Sequence, residues 1–277
     1  GLILYNLGDS QSALQNLNVV AINYPSTPEA FQAISTSRSL YIDLGQVEAY
    51  ANWVKTLDYA DITDSELDEA TYEAAEKYYL EAKKAKAIDL FNGYLARFPK
   101  GSQRLKAHFY LAELYYKESL TENALPHYKF VCEQPTNEFS EAALLKVSEI
   151  LLDSKTYRDV LVYLSRLELE ARNPQNRLYA QSNLMKVFFQ LENYDAAIRY
   201  AEVILNNSKT DTYIKSDAYI ISARAAMKTK NETKAREAYA QVKTLASGEM
   251  GAEAQYFEAY FHNVDGAYEA SNASVQI

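Results

Sequence analysis

Residues 70–99 read ATYEAAEKYYLEAKKAKAIDLFNGYLARFP, two helical stretches closed by a proline. In the first stretch Ala70, Ala74, Ala75 and Tyr78 share one face at α-helical spacing. Lys84-Ala85-Lys86 reads as the turn. In the second, Ala87, Ile88, Phe91, Tyr94 and Leu95 face inward and leave Asp89, Asn92 and Arg97 for solvent. Upstream, Thr63 with Glu66 three residues on, beside Asp64 and Asp68, carries a capping-box start for the unit.

Working outward, the same unit recurs. Its first alanine repeats as Ala33, Ala70, Ala107, Ala143, Ala180, Ala218 and Ala254, at gaps of 37, 37, 36, 37, 38 and 36. Seventeen residues after each stands a second position, read as Tyr50, Ala87, Ala124, Val160, Ala197, Ala235 and Ser271, with Ala13 one period earlier. Four further on come Leu17, Val54, Phe91, Tyr128, Leu164, Ala201 and Tyr239, and three beyond those Val20, Leu57, Tyr94, Val131, Leu167, Ile204 and Val242. Nine before the second small position the chain carries Leu4, Tyr41, Tyr78, Tyr115, Leu151, Phe188 and Ala226. Small against large in fixed register implies two antiparallel helices per repeat, which approach closely only where side chains are small. Gly8 and Gly45 fall at the turn inside a repeat, and Pro25, Pro28, Pro99, Pro135 and Pro174 at the joins. Pro126 is expected within the first turn of its helix, where proline is tolerated.

Composition agrees. The 277 residues are 48% apolar, enough to bury a core, and 8 Gly with 6 Pro are too few turn-formers for a sandwich or barrel. The chain is therefore expected to be all-α. With 28 basic against 37 acidic residues and no basic run, nucleic acid is not an expected partner. Cys132 falls on an apolar helical stripe and reads as a buried thiol. No stretch reaches the roughly 18 apolar residues of a membrane helix.

The pattern resembles the tetratricopeptide repeat (TPR) family over nearly the whole chain. The family's aromatic, turn, Tyr and Ala run is matched by Leu191-Glu192-Asn193-Tyr194-Asp195-Ala196-Ala197-Ile198 and in part by Leu44-Gly45-Gln46-Val47-Glu48-Ala49, and its closing proline by Pro25 and Pro99. Tyr50 and Val160 depart from the small residue. Phe98-Pro99-Lys100-Gly101-Ser102 with Ala107 to Tyr116 is similar to the repeats of bacterial envelope proteins such as the Tol-Pal coordinator and the repeat lipoprotein of the outer-membrane assembly machine. The resemblance implies an α-α superhelix, a TPR solenoid of about seven helix-turn-helix repeats. Their approximate bounds are 1–26, 27–63, 64–100, 101–136, 137–173, 174–210 and 211–247, with a partial unit over 248–277. Both ends fall inside a repeat, so a fragment of a longer chain is expected.

Little points to chemistry. His108, His127 and His262 each stand alone in sequence, and no metal-ligand spacing, phosphate loop or nucleophile elbow occurs. No metal, cofactor or catalytic residue is expected; Glu66, Asp68 and Glu69 read as acids complementing a helix start. The family's inner surface, carried over position by position, gives Glu69, Tyr72, Glu76 and Tyr79, then Lys106, Phe109, Glu113, Tyr116 and Lys117, then Lys186 and Phe189, then Arg224 and Lys228. Leu152, Asp217 and Ile220 occupy equivalent places. Tyr72, Tyr79, Phe109 and Tyr116 form either an aromatic strip in a groove or filling of the core, and the sequence leaves both open. The acids beside them suit a basic flank of a ligand and the cations further along an acidic one. The expectation is a non-enzymatic scaffold holding a protein or peptide partner. The parent chain is expected to be periplasmic or outer-membrane associated. The alternatives are a substrate-organising module of a larger envelope enzyme and a cytoplasmic adaptor.

Overall fold

The link inside each helix pair fixes the period. In the computed structural model, which describes residues 1–275, the backbone turns left-handed at Gly8, Gly45, Ala82, Ser119, Lys155, Glu192, Lys230 and Gly266. These are one register position repeated. Each such residue donates its N–H three residues back, and the next residue donates five back, as Asp9 to Leu4 (3.0 Å), Lys83 to Tyr78 (3.0 Å) and Thr156 to Leu151 (2.9 Å). This Schellman closure satisfies carbonyls that a helix end leaves open. The recurrent large residue of the sequence supplies the five-back carbonyl in seven of the turns, from Leu4 to Ala226. It is a packing residue and the anchor of the turn at once.

Because the turn is so tight, the second helix begins three residues before the small position in every pair. The chain divides into two compact units, Gly1–Asn137 and Glu138–Ile277. The first holds α1 (Leu2–Asn6), α2 (Ser10–Asn23), α3 (Pro28–Asp43), α4 (Val47–Val54), α5 (Asp64–Leu80), α6 (Lys84–Arg97), α7 (Arg104–Lys117) and α8 (Thr121–Glu133). The second holds α9 (Ser140–Asp153), α10 (Tyr157–Glu170), α11 (Pro174–Gln190), α12 (Tyr194–Asn206), α13 (Thr212–Lys228), α14 (Glu232–Leu245), α15 (Gly248–Val264) and α16 (Tyr268–Val275). Odd helices are the first of a pair and even helices the second; among the described residues there is no strand. Two expectations shift accordingly. Lys84-Ala85-Lys86 opens α6 and is not the turn, which is Glu81 to Lys83. Pro126 is the sixth residue of α8, past the first turn, so the helix lacks one N–H donor toward Glu122.

Packing follows the register. All seven recurrent alanines are buried, as are the second-helix residues Ala13, Ala87, Ala124, Val160, Ala197 and Ala235 and the apolar residues four after them. Phe91, Tyr94 and Tyr128 have no exposed surface. Within each unit, consecutive helices contact one another, and first helices of adjacent pairs also meet, α3 with α5 and α11 with α13. Pro28 and Pro174 open α3 and α11, and Thr63 and Glu66 close the capping box of α5.

The second pair is the irregular one. Tyr50 in the small position is buried beside Tyr41 and Trp53, with ring centroids 5.9 and 6.2 Å away. Helix α4 stops at Val54, where Thr56 bonds back to the Trp53 carbonyl through its hydroxyl (2.7 Å). Leu57, expected on a helical turn, is buried from the loop instead. That loop sends the Tyr59 hydroxyl to the Ala21 carbonyl at 2.5 Å.

Candidate partner-binding surface

The first helices carry the candidate residues, and the two units arrange them differently. In the first unit Tyr72 of α5 is buried, only 4% exposed, with its ring 5.7 Å from Tyr94 and 6.1 Å from Phe91. Its hydroxyl donates to Glu76 (2.7 Å), and burial, then that carboxylate, push its pKa far above the usual phenol. Tyr79 stacks on Tyr110 at 4.5 Å and is half-buried. Phe109 and Tyr116 of α7 meet Tyr128 edge-on at 6.3 and 6.2 Å, while the Tyr128 hydroxyl donates to Glu113 at 2.6 Å. Lys117 reaches Glu113 at 4.0 Å; Lys106 is half-buried and Glu69 exposed. The fold thus brings the expected strip together, with Tyr72 on its core side and Tyr79, Phe109 and Tyr116 half-buried above a second-helix aromatic.

The second unit leaves a cleft. About 510 Å³ opens among α9, α11, α13 and α15, floored by Leu152, Val187, Phe189, Ile220, Ile221 and Met250. Tyr213, Asn183 and Gln190 stand on its walls with Lys186 and Arg224. Two residues after the recurrent alanine, α5 and α7 carry Tyr72 and Phe109, whereas α13 carries Ile220, which lines this cleft, and α11 carries Ser182, which lines an adjoining hollow of about 270 Å³. The Ser182 hydroxyl is buried without a hydrogen-bond partner.

Charge in this cleft is already matched. Lys186, six after its alanine, lies 2.6 Å from Asp217, one before the next alanine, and Arg224 stands in the same relation to Glu253 at 2.9 Å. The acids are the more buried members, with side chains 14% and 25% exposed against 45% and 43% for the cations. Arg224, then a hydrogen bond from Tyr239, hold the Glu253 carboxyl below its usual range against the cost of burial. Lys228 is exposed at the end of α13. Two of the three cations expected to meet an acidic ligand, Lys186 and Arg224, thus each pair with the acid preceding the alanine of the next repeat.

Sequence reasoning passed over several of these residues. Tyr213, 69% exposed on the first turn of α13, lies outside the carried-over positions, and its only signal is an aromatic beside a helix cap. Tyr256 and Tyr260 of α15, 63% and 45% exposed, occupy the positions two and six after Ala254 and follow from extending the register by one repeat. His108 and His127, apart in sequence, meet in the fourth pair with Nδ1 atoms 2.8 Å apart. Cys132 is buried. Among the described residues no three His, Cys, Asp or Glu side chains are grouped to hold a metal, and no helix is long and apolar enough to cross a membrane.

No family model matches the chain, and no curated protein does. Among solved structures it is similar to the C-terminal part of a TPR repeat-containing protein from Cytophaga hutchinsonii, at 12% identity and TM-score 0.45 over 91% of this chain and 96% of that one. The apo form of RapI gives 14% identity and TM-score 0.45 over 99% and 85%. The TPR domain of P58(IPK) gives 16% identity and TM-score 0.36 over 99% of this chain and 76% of that domain.

Proposed function

We propose that the chain is a non-enzymatic scaffold that holds a protein or peptide partner on the face of its first helices, with the cleft of the second unit as the principal seat. The observation that supports this reading is the cleft itself: an apolar floor, and polar walls whose cations Lys186 and Arg224 are already ion-paired. A segment with one or two large apolar side chains suits it better than a highly charged one. Tyr79, Phe109, Glu113 and Tyr116 offer a second, shallower surface, with Glu69, Glu76, Lys106 and Lys117 at its margin. The bacterial envelope is the proposed location, resting on the likeness of residues 98–116 to envelope repeats; a parent chain with neither signal peptide nor lipid-attachment cysteine, recovered in the cytosol, overturns it.

The test places a photo-crosslinking phenylalanine at Tyr213, and as a control at Leu169, an exposed residue of α10. Peptides selected from a random library on the native chain are expected to crosslink at 213 and not at 169. Phe189→Ala should weaken them about tenfold or more. Equal labelling at both positions, or affinity indifferent to Phe189, overturns the reading.

A further inference from the structure

The fold sets two half-buried imidazoles against each other in the fourth helix pair. His108 of α7 and His127 of α8 approach with Nδ1 to Nδ1 at 2.8 Å and ring centroids 5.0 Å apart. The centroid separation is close to the nitrogen separation plus one ring radius at either end, so the two nitrogens point at each other. A shared metal needs lone pairs that converge on a third point, and among the described residues no third ligand is grouped with these rings. The contact is a hydrogen bond, and with both rings neutral it holds one proton: one ring is the Nδ1–H tautomer and donates, the other the Nε2–H tautomer and accepts.

The surroundings hold the pair neutral. Phe130 stacks on His108 at 3.8 Å and Tyr115 on His127 at 5.9 Å. From α6, Asn92 donates to the Tyr115 hydroxyl at 3.0 Å; from α7, Arg104 lies over Phe130 at 5.7 Å. No carboxylate among the described residues bonds either ring. Burial, then the neighbouring His127 and Arg104, hold His108 down to about 4, and burial holds His127 below the usual imidazole.

We propose that His108 and His127 form an acid-released latch that ties α7 to α8 when both rings are neutral and lets the helices part when both are protonated. A first added proton enters the free Nε2 of the donor ring and leaves the N–H···N bond standing. A second places N–H against N–H, and the rings separate. Phe109, Glu113 and Tyr116 of α7 pack on Tyr128 of α8, so release rearranges that face of the first unit. The sign follows from linkage. The closed pair protonates below the value of a free histidine, so the open form takes up protons first. Closure is at full strength above about pH 6.5 and weakens as pH falls from there toward about 4. Each proton bound only by the open form raises the opening constant up to about tenfold per pH unit.

The test uses the full chain with 15N-labelled histidine, its signals assigned through His108→Gln and His127→Gln. Opposite tautomers are expected on the two rings at about pH 7.5, with His108 taking up its proton only at about pH 4 and His127 below the usual imidazole range. Hydrogen exchange in α7 and α8, corrected for the intrinsic rate, should show opening that rises about tenfold or more between about pH 7.5 and 5. Amides of α11 and α12 in the same chain serve as the internal reference. The double variant, whose amide pair bonds without titrating, should lose that rise. Identical tautomers, a ring titrating near the free value, or the same slope in α7–α8 as in α11–α12 overturns the latch. These three readouts come from the native chain, so they decide even where the double variant fails to fold.

Discussion

The face of α5 and α7 and the face of α11 and α13 are built on the same register, and one is filled while the other is open. Two residues after the recurrent alanine, Tyr72 and Phe109 lean on aromatics of their partner helices, whereas Ile220 lines a cleft and Ser182 the hollow adjoining it. The difference teaches that the repeat sets where a side chain starts, and its size against the next helix decides whether it becomes wall, floor or core.

The largest expected effect tests the filled face. Tyr72→Ala removes a buried ring and its hydrogen bond to Glu76, and should cost about 3–5 kcal/mol in urea unfolding. Tyr213→Ala, at an exposed position of the open face, should stay within about 0.5 kcal/mol. A Tyr72 variant as stable as the native chain would break the contrast. Next, Ser182→Tyr introduces, into the hollow that adjoins the cleft along Asn183, Lys186 and Tyr213, the side chain that fills the other face. It should abolish binding of cleft-selected peptides, at least about tenfold or ~1.4 kcal/mol, while leaving the melting temperature within a few degrees. Retained affinity would move the seat elsewhere.

The turns supply a smaller pair of effects common to both regions. At Gly45 (φ +64°) a Cβ would meet Tyr78 and Leu90 at 3.3 Å, so Gly45→Ala should cost about 1–2 kcal/mol. Glu192 (φ +59°) already bears the left-handed strain, and Glu192→Gly should gain up to about 0.5–1 kcal/mol in the same denaturation experiment. Opposite signs at one register position are the check; equal signs would mean that packing, not backbone, governs the turn. Smallest is the exposed pair Lys84 and Glu118, 2.5 Å apart. Lys84→Ala should shift stability by no more than about 0.5 kcal/mol, less at high salt.

Much of the fold was legible. Ala70, Ala107 and Ala180 mark first helices because close approach tolerates nothing larger there, and the period of the turns merely restates the period of those alanines. Helix starts were misplaced by three residues because glycine marks only three of the eight left-handed turns; Ala82, Ser119, Lys155, Glu192 and Lys230 carry no such signal. Of the candidate surface, Lys186, Phe189 and Arg224 were legible by position and line the cleft. Asp217 was legible by position too, but its pairing with Lys186, and that of Glu253 with Arg224, were not, since the acids stand 31 and 29 residues further along, on other helices.

By itself, then, the sequence determined the helix pairs, their register and the side of each helix that packs. Those follow from short-range spacing and from the steric limit at each crossing, information carried inside about forty residues. Only the tertiary structure decided that Tyr72 is core, that the cleft opens beside Ser182 and that His108 meets His127. Each of these depends on what the neighbouring helix presents at the point of contact, and a side chain's exposure is a property of the pair of surfaces rather than of either one.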